Sequence, residues 1–293
     1  MNDIRYYDLN FNLLHTEPHY SSLNYTEKLN GVGSLEIHLP PKSFVPPLPF
    51  AAASGTFCGI VTGLRCTEKE TALHGRSMNF LLTRRICPQT NITEGGGNAV
   101  MLTLVNTYLS DFAEFSAGED FTPAPVQTAD SPQTLEDVIA ALCEGGGHRL
   151  VFDIPQKKFR LCFVPRRANP VIISESRGNA AAVSETLNLA DFANFAKFSD
   201  SVLTTSDAAG AYRWETSVSA DSEDAAQREL EKKQARTEIS VTLKNLEYGK
   251  DYFLGDVLTV IRGGVSYNML LDEISVDIDS GGIRCEPHFS QQS

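Results

Sequence analysis

The closest spacing of residues that could perform chemistry is at 15–19, where the sequence reads His-Thr-Glu-Pro-His. A His-x-Glu pair serves zinc deaminases as a metal ligand and a general acid/base, but their Pro-Cys-x-x-Cys partner is missing from this sequence. The segment is also not His-Glu-x-x-His, and Pro18 would break a helix that placed both imidazoles on one face. We therefore predict a turn between two strands here, and no metal site.

Two Glu-Gly-Gly-Gly runs, at 94–97 and 144–147, could cradle a phosphate. Glycine-rich backbone before a helix offers free N–H groups to an anion. The first run precedes a predicted helix and the second ends one, and neither carries the Lys-Ser/Thr of a P-loop. We interpret them as a flexible loop and a helix stop, and predict no cofactor.

Nucleophile patterns are equally weak. No Gly-x-Ser-x-Gly elbow occurs, and Gly75-Arg76-Ser77 resembles one only superficially. The six cysteines include no Cys-x-x-Cys pair, which favours free thiols over zinc ligands or disulfides; they are Cys58, Cys66, Cys87, Cys143, Cys162 and Cys285. A carboxylate pair for glycoside hydrolysis depends on three-dimensional distance and stays open. We predict no catalytic residue and no enzyme.

The composition narrows the class of protein. The 293 residues are 42% apolar, with 25 basic and 37 acidic residues and a net charge of −12. This composition is typical of a folded protein, and the length fits one large domain or two to three small ones. The acidic excess argues against a surface that binds nucleic acid. No signal-like N-terminus or membrane-spanning apolar window is present, so we expect synthesis in the cytoplasm and no membrane insertion.

The first part of the chain is predicted to form strands. Apolar and polar residues alternate in 34–40, which is the period of a half-buried strand, and the glycine-interrupted segment 56–64 is similar. A further strand at 70–73 is predicted to end in a turn at Gly75-Arg76, followed by one or two helical turns at 78–82.

The middle is predicted to be an α+β module. Helical spacing of apolar residues covers 98–115. A second helix is predicted with Ser131 as N-cap and Pro132 at its first position, running to Leu142 and stopping at the glycines 145–147. A hairpin follows, with one strand around Leu150 and the other around Leu161.

The last third returns to strands. A polar helix is predicted at 221–236, with acidic residues near its start and basic ones near its end, on a surface or at a subunit contact. Strands are predicted at 239–243 and 273–278, with 248–260 between them as a strand entered through a turn. Gly255 and Asp256 suit a tight turn or bulge there.

Several of these segments resemble one known family. They are Leu-Asn-Gly-Val-Gly-Ser-Leu-Glu-Ile-His-Leu-Pro at 29–40, Gly-Ile-Val at 59–61, Gly-Arg at 75–76, the two-helix insert, and Tyr-Gly-Lys-Asp-Tyr-Phe-Leu-Gly-Asp-Val at 248–257. In this order they resemble phage tail-hub proteins, such as siphophage tail-tip hubs and the baseplate hub of contractile phages. The residues that carry the motif are Gly75, Arg76, Tyr248, Gly249, Asp251, Leu254, Gly255, Asp256 and Val257.

The resemblance implies an α+β, mainly β fold with two small tail-tube-like β-barrels and an inserted α+β module. The first barrel would span 1–95, completed by 165–183; the insert would span 96–164. The second barrel would span 184–293 and carry the helix at 221–236. Since this sequence stops just after its last predicted strand, we expect a hub without an attached lytic or receptor-binding domain.

The function implied by the resemblance is structural. A homotrimeric ring in the virion would join tail-tube or distal tail proteins above to tip, fibre or spike proteins below, and DNA would pass through its channel without specific binding. Two alternatives stay open: a tail-associated cell-wall hydrolase, either a peptidase or a muramidase, and a host-surface carbohydrate-binding module.

Overall fold

The computed structural model describes residues 3–291 apart from 56, 89–90, 93–94, 119, 125, 128–131, 144, 190–191, 199–200, 205–209, 219–222 and 234–235. Its strands are β1 (Ile4–Tyr7), β2 (Leu13–Glu17), β3 (Ser22–Lys28), β4 (Ser34–Leu39), β5 (Phe50–Ser54), β6 (Phe57–Cys66), β7 (Thr71–Ser77), β8 (Ile86–Cys87), β9 (Asn91–Ile92), β10 (Ala113–Ser116), β11 (Val126–Gln127), β12 (Gln133–Thr134), β13 (Gly146–Asp153), β14 (Lys158–Pro165), β15 (Arg167–Ile173), β16 (Ala180–Asn188), β17 (Phe195–Phe198), β18 (Ser201–Thr204), β19 (Glu215–Ser217), β20 (Arg236–Leu243), β21 (Asp256–Arg262), β22 (Val265–Asp279) and β23 (Gly282–Gln291). The α-helices are α1 (Gly97–Tyr108), α2 (Leu135–Leu142) and α3 (Glu223–Lys232), and 3-10 helices cover Met78–Arg84, Glu175–Arg177 and Gly210–Tyr212. The predicted α+β, mainly β class is confirmed.

One large sheet organises the chain. Thirteen strands pair in the order β16-β20-β23-β22-β3-β4-β7-β6-β5-β1-β2, and β21 joins β15 to β22. The 15-residue strand β22 connects the two halves, because its first part pairs with β21 and its second part with β3. Among the described strands no closed barrel is found, so the expected pair of barrels appears as one continuous sheet.

The expected domain boundaries at 95, 164 and 184 stay a prediction. The segment 165–183, expected to complete the first barrel, contributes β15, which pairs with β21, and the start of β16, which pairs with β20. Both partners lie in the last third of the chain. None of the described helices is long and apolar enough to cross a membrane.

Local patterns of alternation predicted the strands well. In β4, Leu35, Ile37 and Leu39 are buried while the residues between them are not. The segments 239–243 and 273–278 lie within β20 and β22, as predicted. The hairpin is confirmed too, since β13 and β14 pair with Leu150 opposite Leu161.

The predicted turn at Gly75-Arg76 is wrong. Both residues lie inside β7, and the 3-10 helix follows directly at Met78. A Cβ on Gly75 would collide with the carbonyl oxygen of Ile60 on the neighbouring strand β6. Glycine is therefore required here because two backbones approach closely, and not because the chain reverses.

The second helix starts later than predicted. Thr134 is its N-cap: its hydroxyl accepts a hydrogen bond from the Asp137 N–H at 3.2 Å, and the Asp137 carboxylate accepts one from the Thr134 N–H at 3.3 Å. This capping box fixes the start, so Pro132 lies outside the helix. Ser131, the predicted cap, lies outside the described residues.

The glycine runs also differ from their predicted roles. The helix α2 ends at Leu142, as predicted, but Gly146 and Gly147 begin strand β13 directly. In the first run, Gly96 is the N-cap of α1 without a side-chain hydrogen bond, and Glu94 lies outside the described residues. The helix α1 itself ends at Tyr108, earlier than the predicted 115.

Besides the main hydrophobic core, which includes Leu35 and Leu258, and the core around α1 and α2, the described residues contain a third, small core that was not predicted. The strands β17, β18 and β19 form their own sheet, and α3 packs on it through Ala226 and Leu230, both buried with Ala196 and Phe198. The thin apolar stripe of the helix predicted at 221–236 therefore packs against the small sheet of the same chain. Positions 221–222 and 234–235 lie outside the described residues.

The free cysteines differ in burial, and this difference can be tested by their reactivity. Burial raises the pKa of the Cys143 thiol to about 12 and that of Cys58 to about 12, whereas Cys66 is exposed. Because the thiolate is the reactive form, we expect Cys66 to react first with a thiol reagent at pH 8, the half-buried Cys58 more slowly, and the buried Cys143 only after denaturation. Mass spectrometry after timed labelling measures this. A fast phase that survives Cys66→Ser would contradict the assignment.

Candidate functional site: the corner at residues 247–256

In the His-Thr-Glu-Pro-His segment at 15–19, the side chains of His15 and Glu17 contact each other. His15 and Glu17 lie on the edge strand β2, with His15 Nε2 3.7 Å from Glu17 Oε2. The other oxygen of Glu17 accepts a hydrogen bond from the backbone N–H of His19 at 2.8 Å. Within the described part of the chain no group of three His, Cys, Asp or Glu residues could hold a metal ion. The predicted turn is misplaced, since residues 15–17 are strand and the chain turns after Glu17.

The corner that precedes β21 is held by carboxylates on backbone N–H groups. Asp251 accepts a hydrogen bond from the Glu247 N–H at 2.8 Å, and the Gly249 N–H donates to the Tyr252 carbonyl at 3.0 Å. Gly249 has a φ of +84°, a conformation that glycine adopts without strain. Tyr252 is buried in the main core. The turn predicted within 248–260 is therefore present.

The second half of the corner fixes the start of β21. The Asp256 carboxylate accepts from the Phe253 N–H at 2.9 Å and from Asn169 Nδ2 at 2.7 Å. Gly255 has a φ of +90°; its N–H donates to the Leu271 carbonyl at 2.9 Å and its carbonyl accepts from the Arg167 N–H at 3.0 Å. Gly255 thus joins the corner to β22 and β15 at one point.

A buried glutamate ties this corner to the first half of the chain. Glu27 on β3 is 9% exposed, and it accepts hydrogen bonds from the Tyr248 hydroxyl at 3.0 Å and from Arg149 Nη2 at 2.7 Å. Burial, and then the neighbouring Glu27 charge, raise the pKa of Tyr248, so its phenol stays a donor. Residues from three parts of the chain meet at this carboxylate.

The sequence interpretation missed Glu27 and Arg149. Glu27 occupies the apolar face of β3, in step with Leu23 and Tyr25, and a charged residue at such a position was the available signal. Arg149 carried no comparable signal.

The contribution of the hydrogen bond between Tyr248 and Glu27 to stability can be measured. We expect Tyr248→Phe to destabilise the protein by about 1 to 2 kcal/mol, because it removes a hydrogen bond to a buried charge. Chemical unfolding of the single variant, Arg149→Met and the double variant gives the coupling through Glu27. Tyr267→Phe is a matched control, since its hydroxyl lies 3.5 Å from the exposed Glu185. Equal costs for the two phenylalanine variants would contradict a special role for Tyr248.

A second buried polar group lies where the insert meets the sheet. His148 is fully buried, with Nε2 2.8 Å from Glu136 Oε2 and Nδ1 3.1 Å from Asn30 Oδ1. Asn79 accepts the Leu150 N–H at 2.8 Å and donates to the Gly31 carbonyl at 3.1 Å. These contacts fasten the insert to the loop between β3 and β4.

The structure brings together most, but not all, of the predicted motif. Tyr248, Gly249, Asp251, Leu254, Gly255, Asp256 and Val257 form one continuous corner. Gly75 and Arg76 lie elsewhere, on β7, separated from β3 by β4. The polar groups of the corner hold backbone and neighbouring strands in place. This arrangement joins segments that are far apart in the sequence.

Comparison with solved structures gives full-length matches. The chain is similar to the tail protein from Neisseria meningitidis MC58, with 14% identity, a TM-score of 0.65, and coverage of 99% of this chain and 96% of that one. It is also similar to a prophage MuSo2 43 kDa tail protein from Shewanella oneidensis, with 14% identity, a TM-score of 0.62, and coverage of 99% and 97%.

A more distant match is a chain in the phage P2 baseplate in its activated conformation with Ca, with 10% identity, a TM-score of 0.50, and coverage of 99% of both chains. No protein-family model and no curated protein sequence matches the chain. At these identities the likeness concerns the fold, and it extends over nearly all of the sequence. The chain has the fold of phage and prophage tail proteins.

Proposed function

We propose that this chain is a structural hub subunit of a phage or prophage tail. Three copies form a ring that joins the tail tube, or distal tail proteins, to the tip, fibre or spike proteins, and its place is the virion tail tip or baseplate. The chain has no catalytic task in this proposal, and the corner at 247–256 with Glu27 keeps its two halves in a fixed relation.

One observation carries the proposal: the fold match to tail proteins covers 99% of the chain. A match of that extent leaves little of this sequence outside the shared fold. The geometry agrees with a structural role, because one continuous sheet and the buried contact between Tyr248 and Glu27 join the two halves of the chain.

Tail particles purified from a host that expresses the tagged chain provide the test. We expect the chain to co-purify with tails, to label one end of the tube in micrographs, and to give a three-fold ring in averaged images. Native mass measurement of the isolated chain, or of its complex with the tube protein, should give three copies. A stable monomer that never enters tail particles would overturn the proposal.

The net charge of −12 fits a channel for DNA. Acidic walls repel a polyanion and let it pass without sticking. We expect acidic side chains to outnumber Lys and Arg along the channel surface in an image of the ring. A channel lined with Lys and Arg, with the acidic residues outside, would contradict this part of the proposal.

One observation favours the carbohydrate-binding alternative. Tyr212 is 79% exposed and Trp214 is 44% exposed, next to the small sheet of β17, β18 and β19. Exposed aromatic rings can stack on sugars. Binding of the purified chain to a glycan array, lost on Trp214→Ala and Tyr212→Ala, would support that function, and absence of binding would leave the hub proposal alone.

A further inference from the structure

A fully buried titratable pair lies where the insert meets the loop between β3 and β4. His148 on β13 is 0% exposed and Glu136 on α2 is 5% exposed. The two backbones approach so closely beside the pair that a Cβ on Gly147 would lie 2.2 Å from the Leu29 carbonyl oxygen. A proton that this pair gains or loses is therefore exchanged inside a packed contact and not at the surface.

The hydrogen bonds around His148 fix which atoms must donate. Nε2 of the ring lies 2.8 Å from a carboxylate oxygen of Glu136, and Nδ1 lies 3.1 Å from Oδ1 of Asn30. The amide of Asn30 is oriented by its other end, because its Nδ2 donates to the Gly146 carbonyl at 3.1 Å. An amide oxygen and an ionised carboxylate can only accept. Both ring nitrogens of His148 therefore face acceptors.

The pair needs one proton more than a neutral imidazole and an ionised carboxylate hold together. A neutral imidazole has a single N–H, so one of its nitrogens would place a lone pair against an acceptor oxygen. Either His148 carries both ring protons, or the Glu136 carboxyl is protonated and donates to Nε2. Glu136 lies in the first turn of α2, where the helix dipole favours a negative charge, and this supports the doubly protonated ring.

The groups on the neighbouring elements do not replace this proton. Cys143, at the end of α2, is neutral, because burial and then the Glu136 charge raise the pKa of its thiol to about 12. Arg149, the residue after His148, forms its ion pair with a carboxylate on β3. On the 3-10 helix at 78–84, the neutral Asn79 donates to the His148 carbonyl at 3.4 Å. Loss of the extra proton would therefore leave a buried negative charge and two acceptors facing each other.

We infer that the contact between the insert and the β3–β4 loop is a proton-dependent latch. The pair of His148 and Glu136 retains the extra proton while the latch is closed, and the contact loosens when that proton leaves. The latch is a property of this chain alone, so it does not depend on the proposed place in a tail.

Alkaline pH opposes the closed latch. When the contact opens, the imidazole meets water, where a histidine is mostly neutral above about pH 6.5. Closing therefore takes up about one proton, and each unit of pH above that value shifts the equilibrium about tenfold toward the open form. The contact is strongest near pH 6 and weakens as the pH rises.

Hydrogen exchange of two backbone amides reports the latch. The His148 N–H donates to the Leu29 carbonyl at 3.0 Å, and the Leu150 N–H donates to Asn79 Oδ1 at 2.8 Å. We expect their protection factors, corrected for intrinsic exchange rates, to fall about 100-fold from pH 6.5 to pH 8.5. The Lys244 N–H, bonded to the Asn179 carbonyl in the last third of the chain, is the internal control and should keep its protection. Unchanged protection of His148 and Leu150 would overturn the inference.

A near-isosteric variant separates the proton from the packing. Glu136→Gln presents an amide nitrogen that can donate to Nε2 of a neutral ring, so the contact needs no extra proton. We expect this variant to keep the protection of 146–150 and to lose its pH dependence. His74→Gln is the matched control, since it removes an exposed imidazole 3.6 Å from Glu36, and it should keep the wild-type dependence. A Glu136→Gln protein with the full wild-type pH dependence would contradict the latch.

A spectroscopic measurement on the unmodified chain does not rely on any variant. Nitrogen NMR of the His148 ring at pH 7.5 should show two protonated nitrogens, or the carbon resonance of the Glu136 carboxyl should show a protonated acid. Either result supports the extra proton. A singly protonated ring beside an ionised Glu136 at this pH would overturn the inference.

Discussion

Gly255→Val should yield a chain that does not fold its second half. Gly255 has a φ of +90°, which a β-branched residue tolerates poorly, and a Cβ there would lie 2.9 Å from the carbonyl oxygen of Pro165 and 3.3 Å from a methyl of Val164. The same residue anchors β21 to β22 and β15 through its N–H and carbonyl. We expect little soluble protein, and loss of the cooperative unfolding transition in circular dichroism of what remains.

A matched series separates strain from collision. Gly249 has a φ of +84° with nothing within 4 Å of a built Cβ, so Gly249→Ala should cost only the left-handed strain of about 1 to 2 kcal/mol. Gly255→Ala carries the same strain together with the backbone contact and should cost more than Gly249→Ala. A soluble Gly255→Val protein with normal stability would show that the corner is assigned wrongly.

His148→Leu should cost about 3 to 5 kcal/mol, because it leaves the buried carboxylate of Glu136 without its partner. Both side chains are inside the protein, at 0% and 5% exposure, and one Glu136 oxygen, Oε1, already has no hydrogen-bond partner among the described residues. The loss of stability should appear as a lower urea midpoint for unfolding of the insert. Exchange of the insert's amide hydrogens is the measurement that reports this midpoint.

Two further variants show how much of the stability loss in His148→Leu comes from the buried pair with Glu136. Glu136→Leu combined with His148→Leu removes both polar groups and should recover part of the loss. Lys158→Met breaks an exposed ion pair with Glu114 in the same insert, at 2.7 Å, and should change stability by less than about 1 kcal/mol. If His148→Leu cost no more than Lys158→Met, the buried pair would contribute nothing specific.

Much of the architecture could be predicted because its signals are local. Alternating apolar residues in β4 and β20, and the facing Leu150 and Leu161 of the hairpin, depend on side chains two positions apart or on a short connection. The tight corner at Gly255 and Asp256 was also visible, since a glycine followed by a carboxylate satisfies the turn by itself.

Several of the wrong predictions concern residues whose conformation depends on a contact with a distant part of the chain. Gly75 was assigned to a turn, but the carbonyl of Ile60 on the next strand is what excludes a side chain there. The helix start is a different kind of error, because its signal was local: Ser131 and Pro132 competed with Thr134 and Asp137, which form a complete capping box three residues later. The small sheet on which the polar helix α3 packs was not predicted, because its strands come from segments that meet only in the folded chain.

The sequence by itself determined the secondary-structure class, the strands β4, β13, β14 and β20, and the corner that starts β21, because each depends on short-range periodicity or backbone preference. Only the tertiary structure decided that β22 joins both halves in one sheet, and that Glu27 receives Tyr248 and Arg149, which lie 221 and 122 positions away. Strand pairing and the burial of a charge depend on which distant segments meet. Buried backbone groups and a buried carboxylate need hydrogen-bond partners, and those partners come from segments far apart in the sequence.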